Sequence, residues 1–197
     1  MLVVTDDREV VEADLAAGKI CCPGCGGPLQ RWGYAPERVL RTLSGERRLR
    51  PRRAICSSCR QTQVLEPAST VPRLRDTAEV VGAAWQAKVA GAGHRQIAAR
   101  LGRPVSTVRR WLRRLSERAE ALRAAATTWL YELDPSASPL EPTGSAVGDA
   151  LEAVGRASRA VGLRLGPWQA WSAAVALTGG LAASSGQARR AWATKGG

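Results

Sequence analysis

Two cysteine pairs carry the sharpest chemistry in the chain: Cys22-Pro-Gly-Cys25, followed by Gly26, and Cys56-Ser-Ser-Cys59. A CxxC turn aims two thiolates at one point, and two such turns complete the tetrahedron that zinc prefers. Pro23, Gly24 and Gly26 let the first turn fold tightly and present backbone amides to the sulfurs. Four thiolates leave no open coordination position, so the expected ion is a structural Zn2+ on Cys22, Cys25, Cys56 and Cys59. Redox use of a CxxC pair has less behind it, because no βαβ pattern surrounds either one. Cys21 is spare and competes with Cys22 only at a less suitable spacing to Cys25. In the second turn Arg60 stands where a glycine would be expected.

The second constellation is HRQIAARLGRPVSTVRRWL, residues 94–112. Ile97 and Leu101 face inward from a first helix. Ala98 is small enough for a second helix to cross it closely. Gly102 takes the turn, where a left-handed backbone is easiest for glycine. Val105, Val108 and Leu112 complete the core from the other side, with Trp111 at its margin. The outward face then holds Ser106, Thr107, Arg109, Arg110 and Arg113, with Arg114 beside it. This is the pattern of a helix-turn-helix whose second helix enters the major groove, where arginine grips guanine and hydroxyls serve base edges or phosphate. Arg95, Arg100 and Arg103 flank the turn and suit phosphates. The only histidine, His94, opens its helix and reads as a cap-region residue.

The net charge of +12 is unevenly spread. Residues 1–20 hold five acids against two bases, whereas residues 21–126 hold 21 bases against seven acids, a net of +14. Only three of the 29 bases are lysine; the rest are arginine, which pairs bidentately with phosphate and guanine. Such a block predicts an anionic partner, nucleic acid first among them. Arg47, Arg48, Arg50, Arg52 and Arg53 crowd what reads as one strand. That edge suits the DNA backbone, with Arg48, Arg50 and Arg52 as contacts. The same charge could equally keep a solvated strand from aggregating, and phosphate contact is the favoured reading.

Periodicity gives the elements that must position these groups. Residues 2–4 suit a short strand, and residues 7–17 an acidic helix ended by Gly18. Strands are expected at 28–32, 39–43 and 48–55, with a turn at Ser44-Gly45-Glu46. Asp76-Thr-Ala-Glu79 reads as a capping box before a helix with Val81, Ala84, Trp85 and Lys88 along one face. Residues 94–101 form a second helix. A long third helix starts near Ser106, striped by Val108, Leu112, Leu115, Ala119, Leu122 and Ala126. Beyond a Pro-rich linker, Val147, Leu151, Val154, Ser158, Val161 and Leu165 repeat the spacing, with Glu152 and Arg156 as a favourable i,i+4 pair. Pro167 opens a last helix bearing Trp168, Trp171 and Val175, interrupted at Gly179-Gly180. The two stripes pack as a helical hairpin or pair across a homodimer, and the intramolecular core is the simpler arrangement.

The expected architecture is mainly α with a small β zinc ribbon. A short acidic segment (residues 1–20) precedes the ribbon (21–66), and a helix-turn-helix with a long third helix follows (74–126). A linker (127–144) then leads to C-terminal helices (145–192). Residues 165–188 carry no formal charge, yet Ala, Gly, Ser and Thr dominate there and insert poorly, so no membrane span is expected. The acidic start is the opposite of a signal peptide, which makes a cytoplasmic, nucleoid-associated location the expectation.

The stretches VEADLAAGKICCPGCGGPLQRWGYA, LRPRRAICSSCRQTQVLEPA and GHRQIAARLGRPVSTVRRWLRR resemble a family of short actinobacterial proteins of unknown function. The C-terminal PWQAWSAAVALTGG is similar too. Ribbon followed by helix-turn-helix also resembles the N-terminal DNA-binding region of insertion-sequence transposases. The resemblance implies zinc on the four named cysteines and DNA contact by the helix after Gly102. Transposase catalysis is not expected: the 71 residues after Ala126 hold five acids, mostly in the linker or on an amphipathic helix. Nothing resembles a Ser-His-Asp set, a phosphate-cradling Gly loop or a carboxylate pair, so the chain is read as no enzyme. The expected activity is sequence-specific binding of double-stranded DNA, as a transcriptional regulator or a mobile-element accessory or remnant. The rival readings are a protein-interaction module and an RNA binder that uses the basic ribbon.

Overall fold

The computed structural model describes residues 1–166, 168–178 and 189–190. The expected helix start at Pro167, the break at Gly179-Gly180 and the end at residue 192 lie outside the described residues. Strand β1 (Leu2–Val4) and helix α1 (Arg8–Ala16) open the chain. Five strands follow: β2 (Leu29–Tyr34), β3 (Arg38–Arg41), β4 (Glu46–Leu49), β5 (Arg52–Cys56) and β6 (Thr62–Pro67). Then come α2 (Ala78–Val89), α3 (His94–Leu101), α4 (Val105–Leu133), α5 (Ala146–Leu165) and α6 (Ala170–Thr178), with a short β7 at Arg189–Arg190.

The acidic helix forms because Asp7 caps it, its Oδ1 accepting from the Glu9 and Val10 amides at 2.9 and 3.2 Å. Gly18 then turns the chain at φ +67°. The run expected as one strand at 48–55 is two. Pro51 has no amide to give a ladder, and the chain changes sheets there. β4 pairs antiparallel with β3 alone, while β5 lies between β2 and β6 in a sheet ordered β2-β5-β6-β1-β7. β6 has no counterpart among the expected strands.

β1 joins the two halves of the protein. It runs parallel to β6, Leu2 opposite Leu65. Side chains alternate across a strand, so Leu2 and Val4 enter a core with Val11, Leu15, Ile20, Leu29 and Leu65. Val3 enters the helical core instead, beside Ala68, Val71 and the α2–α6 side chains.

In the helical half, α4 runs for 29 residues, roughly 43 Å at 1.5 Å per residue. Its buried line is Val108, Trp111, Leu115, Ala119, Leu122, Ala126 and Leu130. Trp111, expected at the margin, is 2% exposed, while Val105, expected inside, is 38% exposed. The 108–111–115 line points at α2 and α3, and Val105 precedes it on another side. Residues 127–133, expected as linker, are the last turns of α4. Leu130 continues the stripe, and the helix ends where Pro135 forces Asp134 to φ −136°.

The two stripes pack within one chain. Ala150, Ala153, Val154, Ala157 and Val161 of α5 are buried in the same core as the α4 line. Small residues let the helices approach closely. Leu165, expected in the stripe, is 48% exposed. Arg156 turns from Glu152 and donates to the Pro139 carbonyl at 3.1 Å. Trp171 of α6 lies on Gly82 of α2, where a Cβ would collide with the indole. It meets Trp85 edge to face, centroids 6.1 Å apart. Among the described residues no helix is long and apolar enough to cross a membrane.

Candidate metal centre and nucleic-acid interface

The two CxxC turns are built on one hydrogen-bond plan. In the first, the Cys22 amide donates to Gly27 O at 2.7 Å and the Gly26 amide to Cys22 O at 2.9 Å. In the second, the Cys56 amide donates to Gln61 O at 2.9 Å and the Arg60 amide to Cys56 O at 3.1 Å. The residue after each second cysteine is left-handed, Gly26 at φ +76° and Arg60 at φ +62°. Glycine adopts this freely, whereas a residue with a Cβ does so at about 1–2 kcal/mol. The turns also press together: a Cβ at Gly27 would strike the Ser58 hydroxyl.

All four sulfurs lie within 4.8 Å of one another. Cys22 and Cys59 approach to 3.6 Å, and Cys25 and Cys56 to 3.4 Å. A tetrahedral zinc with bonds of about 2.3 Å separates its sulfurs by roughly 3.8 Å, so this donor set fits that ion. The Cys59 amide points at the Cys56 sulfur at 3.5 Å. Donation from that amide, opposed by burial, lowers the Cys56 thiol to about 6. Cys59 is helped by the Gln61 amide, yet the Cys25 sulfur, burial and the other two sulfurs push it up to about 12. Four thiolates side by side repel, and a divalent cation removes the conflict. Cys21 stays outside the cluster, its sulfur 3.8 Å from the Lys19 carbonyl.

In the second site, α3 and α4 cross through a turn whose Gly102 has φ +60° and ψ +39°. Ile97 and Ala98 are buried beneath Val108, Trp111 and Leu115. With that side of α4 inward, Ser106, Arg109, Arg110 and Arg113 are exposed, and Thr107 is partly so. Arg113 pairs only loosely with Glu117, at 3.5 Å on the open surface. Arg95 and Arg100 are exposed on α3.

Arg103 has a different role from the phosphate contact its position suggested. Its side chain is 13% exposed and its Nε donates to Asp76 Oδ1 at 2.5 Å. Its Nη2 reaches the Thr42 carbonyl at 3.2 Å, and its Nη1 the Leu101 carbonyl at 3.0 Å. Asp76 in turn receives Arg41 at 2.5 Å, and the backbone closes the junction, the Thr77 amide donating to Arg41 O at 3.0 Å. The capping box expected at Asp76 is therefore absent. The Asp76 carboxylate is engaged by two guanidiniums instead, and Thr77 is the N-cap of α2, without a side-chain cap bond.

A second buried carboxylate, Glu66, takes Arg38 at 2.5 Å and the Thr70 hydroxyl at 3.2 Å. Together Asp76 and Glu66 clamp the β3–β4 hairpin to the body of the protein. Neither was singled out as a ligand for arginine from sequence; a lone acid in an arginine-rich stretch was the available signal. A cleft of about 330 Å³ separates the hairpin tip from Arg100 and Arg103.

The ribbon arginines named as DNA contacts divide. Arg48 is exposed, beside Glu37 at 3.1 Å, and Arg50 is exposed at the corner between β4 and β5. Arg52 is 15% exposed, pairs with Glu12 at 2.9 Å and donates to the Gly33 carbonyl. It is structural rather than a free phosphate ligand.

No curated protein and no solved structure matches the chain. Residues 73–124 match a family model described as a homeodomain-like domain, which suggests DNA binding by the segment that holds α2, α3 and most of α4.

Proposed function

We propose that this protein is a sequence-specific binder of double-stranded DNA, without catalytic activity, whose four cysteines hold a structural Zn2+. The observation that carries the reading is on the first turns of α4. Ser106, Arg109, Arg110 and Arg113 stand exposed over a buried Val108–Trp111–Leu115 line. That leaves one polar, basic face free to enter a major groove. Arg95 and Arg48 are placed for phosphates. Zinc, when bound, cross-links the two CxxC turns, and β1, α1 and the clamped hairpin tie that centre to the helices. The protein then acts as a transcriptional regulator or as an accessory or remnant of a mobile element, at the nucleoid in the cytoplasm.

The test is enrichment of a random duplex library on zinc-loaded protein at near-physiological salt. A recovered motif is the expected result, and a palindromic one identifies a homodimer as the binding form. Failure to enrich any sequence overturns sequence-specific binding and leaves the protein-interaction module or the RNA binder.

A further inference from the structure

The tip of the β3–β4 hairpin and the C-terminal end of α3 face each other across a cleft of about 330 Å³. The hairpin supplies Arg41, Thr42, Gly45 and Glu46 to its walls, and the helix-turn-helix supplies Arg100 and Arg103. The two walls are tied to each other. Arg103 Nη2 donates to the Thr42 carbonyl at 3.2 Å, and Asp76 takes Arg41 and Arg103 together, each at 2.5 Å. A cleft whose walls are already fixed spends little on ordering when it takes up an ion.

The charges of this cleft do not cancel. Three guanidiniums meet two carboxylates, Glu46 in the wall and the buried Asp76, which leaves one positive charge over. Arg41 gives Asp76 its Nη2, while its Nε is buried without a partner. Arg100 is exposed, and among the described residues neither it nor Glu46 has an ion pair or a hydrogen-bond partner. An arginine and a glutamate that share a cleft without pairing leave the guanidinium free for another anion. At Gly45 the backbone is open: φ is +141°, and an added Cβ would meet nothing within 4 Å. A guanidinium fork beside accessible backbone is donor chemistry that phosphate oxygens accept.

We infer that this cleft is a phosphate-binding site, with Arg100 as its main ligand, the Gly45 backbone as a second donor and Glu46 as the group that limits its affinity. One source of the phosphate is the backbone of a duplex on α4, since Ser106 follows Arg103 by three residues, at most about 11 Å. The other is free phosphate or a phosphorylated small molecule. The test titrates full-length, zinc-loaded protein with inorganic phosphate at constant ionic strength and follows backbone amide resonances. Saturable shifts at Thr42, Gly45 and Leu101 are expected. Arg100→Ala abolishes them, while Glu46→Gln, which removes the opposing charge, tightens binding. Unchanged resonances in the rest of the protein show that each variant is folded. Shifts that do not saturate, or that persist in Arg100→Ala, overturn the inference. A duplex titration over a range of salt then identifies the source. If the phosphate belongs to a duplex, Arg100→Ala lowers the slope of log affinity against log salt by about 0.9; an unchanged slope assigns the site to free phosphate. Inorganic phosphate reads the cleft without DNA, so the inference stands apart from the α4 reading. A protein that binds no duplex yet shows the Arg100-dependent shifts loses that reading and keeps this site.

Discussion

On α4, Arg109, Arg110 and Arg113 all face solvent, because Val108, Trp111 and Leu115 take the inward side. Along β3 to β5 the arginines divide. Arg38, Arg41 and Arg52 reach Glu66, Asp76 and Glu12, while Arg47, Arg48 and Arg50 stay at the surface. The residue type is the same and the density is similar. What differs is the source of the constraint: on the helix a local period sorts inside from outside, and in the hairpin a carboxylate distant in sequence does so. An arginine-rich segment is thus as often scaffold as interface, and which it is depends on where the acids fold.

The largest effect comes from breaking the metal centre. Cys22→Ser or Cys56→Ser, or chelation, should abolish metal binding and unfold the β part, since such sites draw their folding energy from the ion. Circular dichroism should still report the α4–α5 hairpin, whose core is separate from the cysteines. Full metal occupancy in both variants would sink the four-cysteine site. Apparent metal affinity should fall as pH drops, because binding displaces protons from the thiols, Cys59 at about 12 first among them, and the fall should steepen below about 6, where Cys56 also takes up a proton. Affinity that is flat from pH 8 to about 5 would contradict the thiolate ligand set.

Next in size is Asp76→Ala. It leaves Arg41 and Arg103 without their shared carboxylate in a site where Asp76 is 2% exposed. A loss of about 3–5 kcal/mol in denaturant unfolding is expected. A loss below about 1 kcal/mol would mean the clamp behaves as an ordinary surface pair.

A paired substitution sharpens the contrast between the two kinds of arginine. Arg103→Ala should lower stability by about 1–3 kcal/mol, because it removes hydrogen bonds to a buried carboxylate. Arg110→Ala should leave stability within about 0.5 kcal/mol and cost about 1–3 kcal/mol of affinity for the preferred site. Equal melting shifts in the two variants would erase the distinction. Smallest is Arg60→Gly, which should stabilise by about 1 kcal/mol by relieving a left-handed backbone. A destabilised variant would show that the Arg60 side chain contributes more than its φ costs.

The sequence alone determined the features governed by neighbours in the chain. Asp7 and Gly18 bound α1, Gly102 sets the turn, and doubled CxxC spacing brings four sulfurs into one cluster. The α4 stripe is legible except at two places: Trp111 takes the buried position expected of Leu112, which is only half-buried, because the helical line drifts by a residue, and Leu130 extends the stripe past the boundary that the prolines suggest. Tertiary structure alone decided what depends on groups far apart. Pro51 splits the expected strand only because β3 is there to take β4, and β1 completes a sheet with β6 more than sixty residues away. Asp76 leaves its capping position because two guanidiniums, at 35 and 27 residues' distance, arrive in a buried site. A short-range pattern is set by backbone geometry and survives in any context. A buried charge takes whichever partner the fold brings within reach, because leaving it unpaired is the costlier outcome.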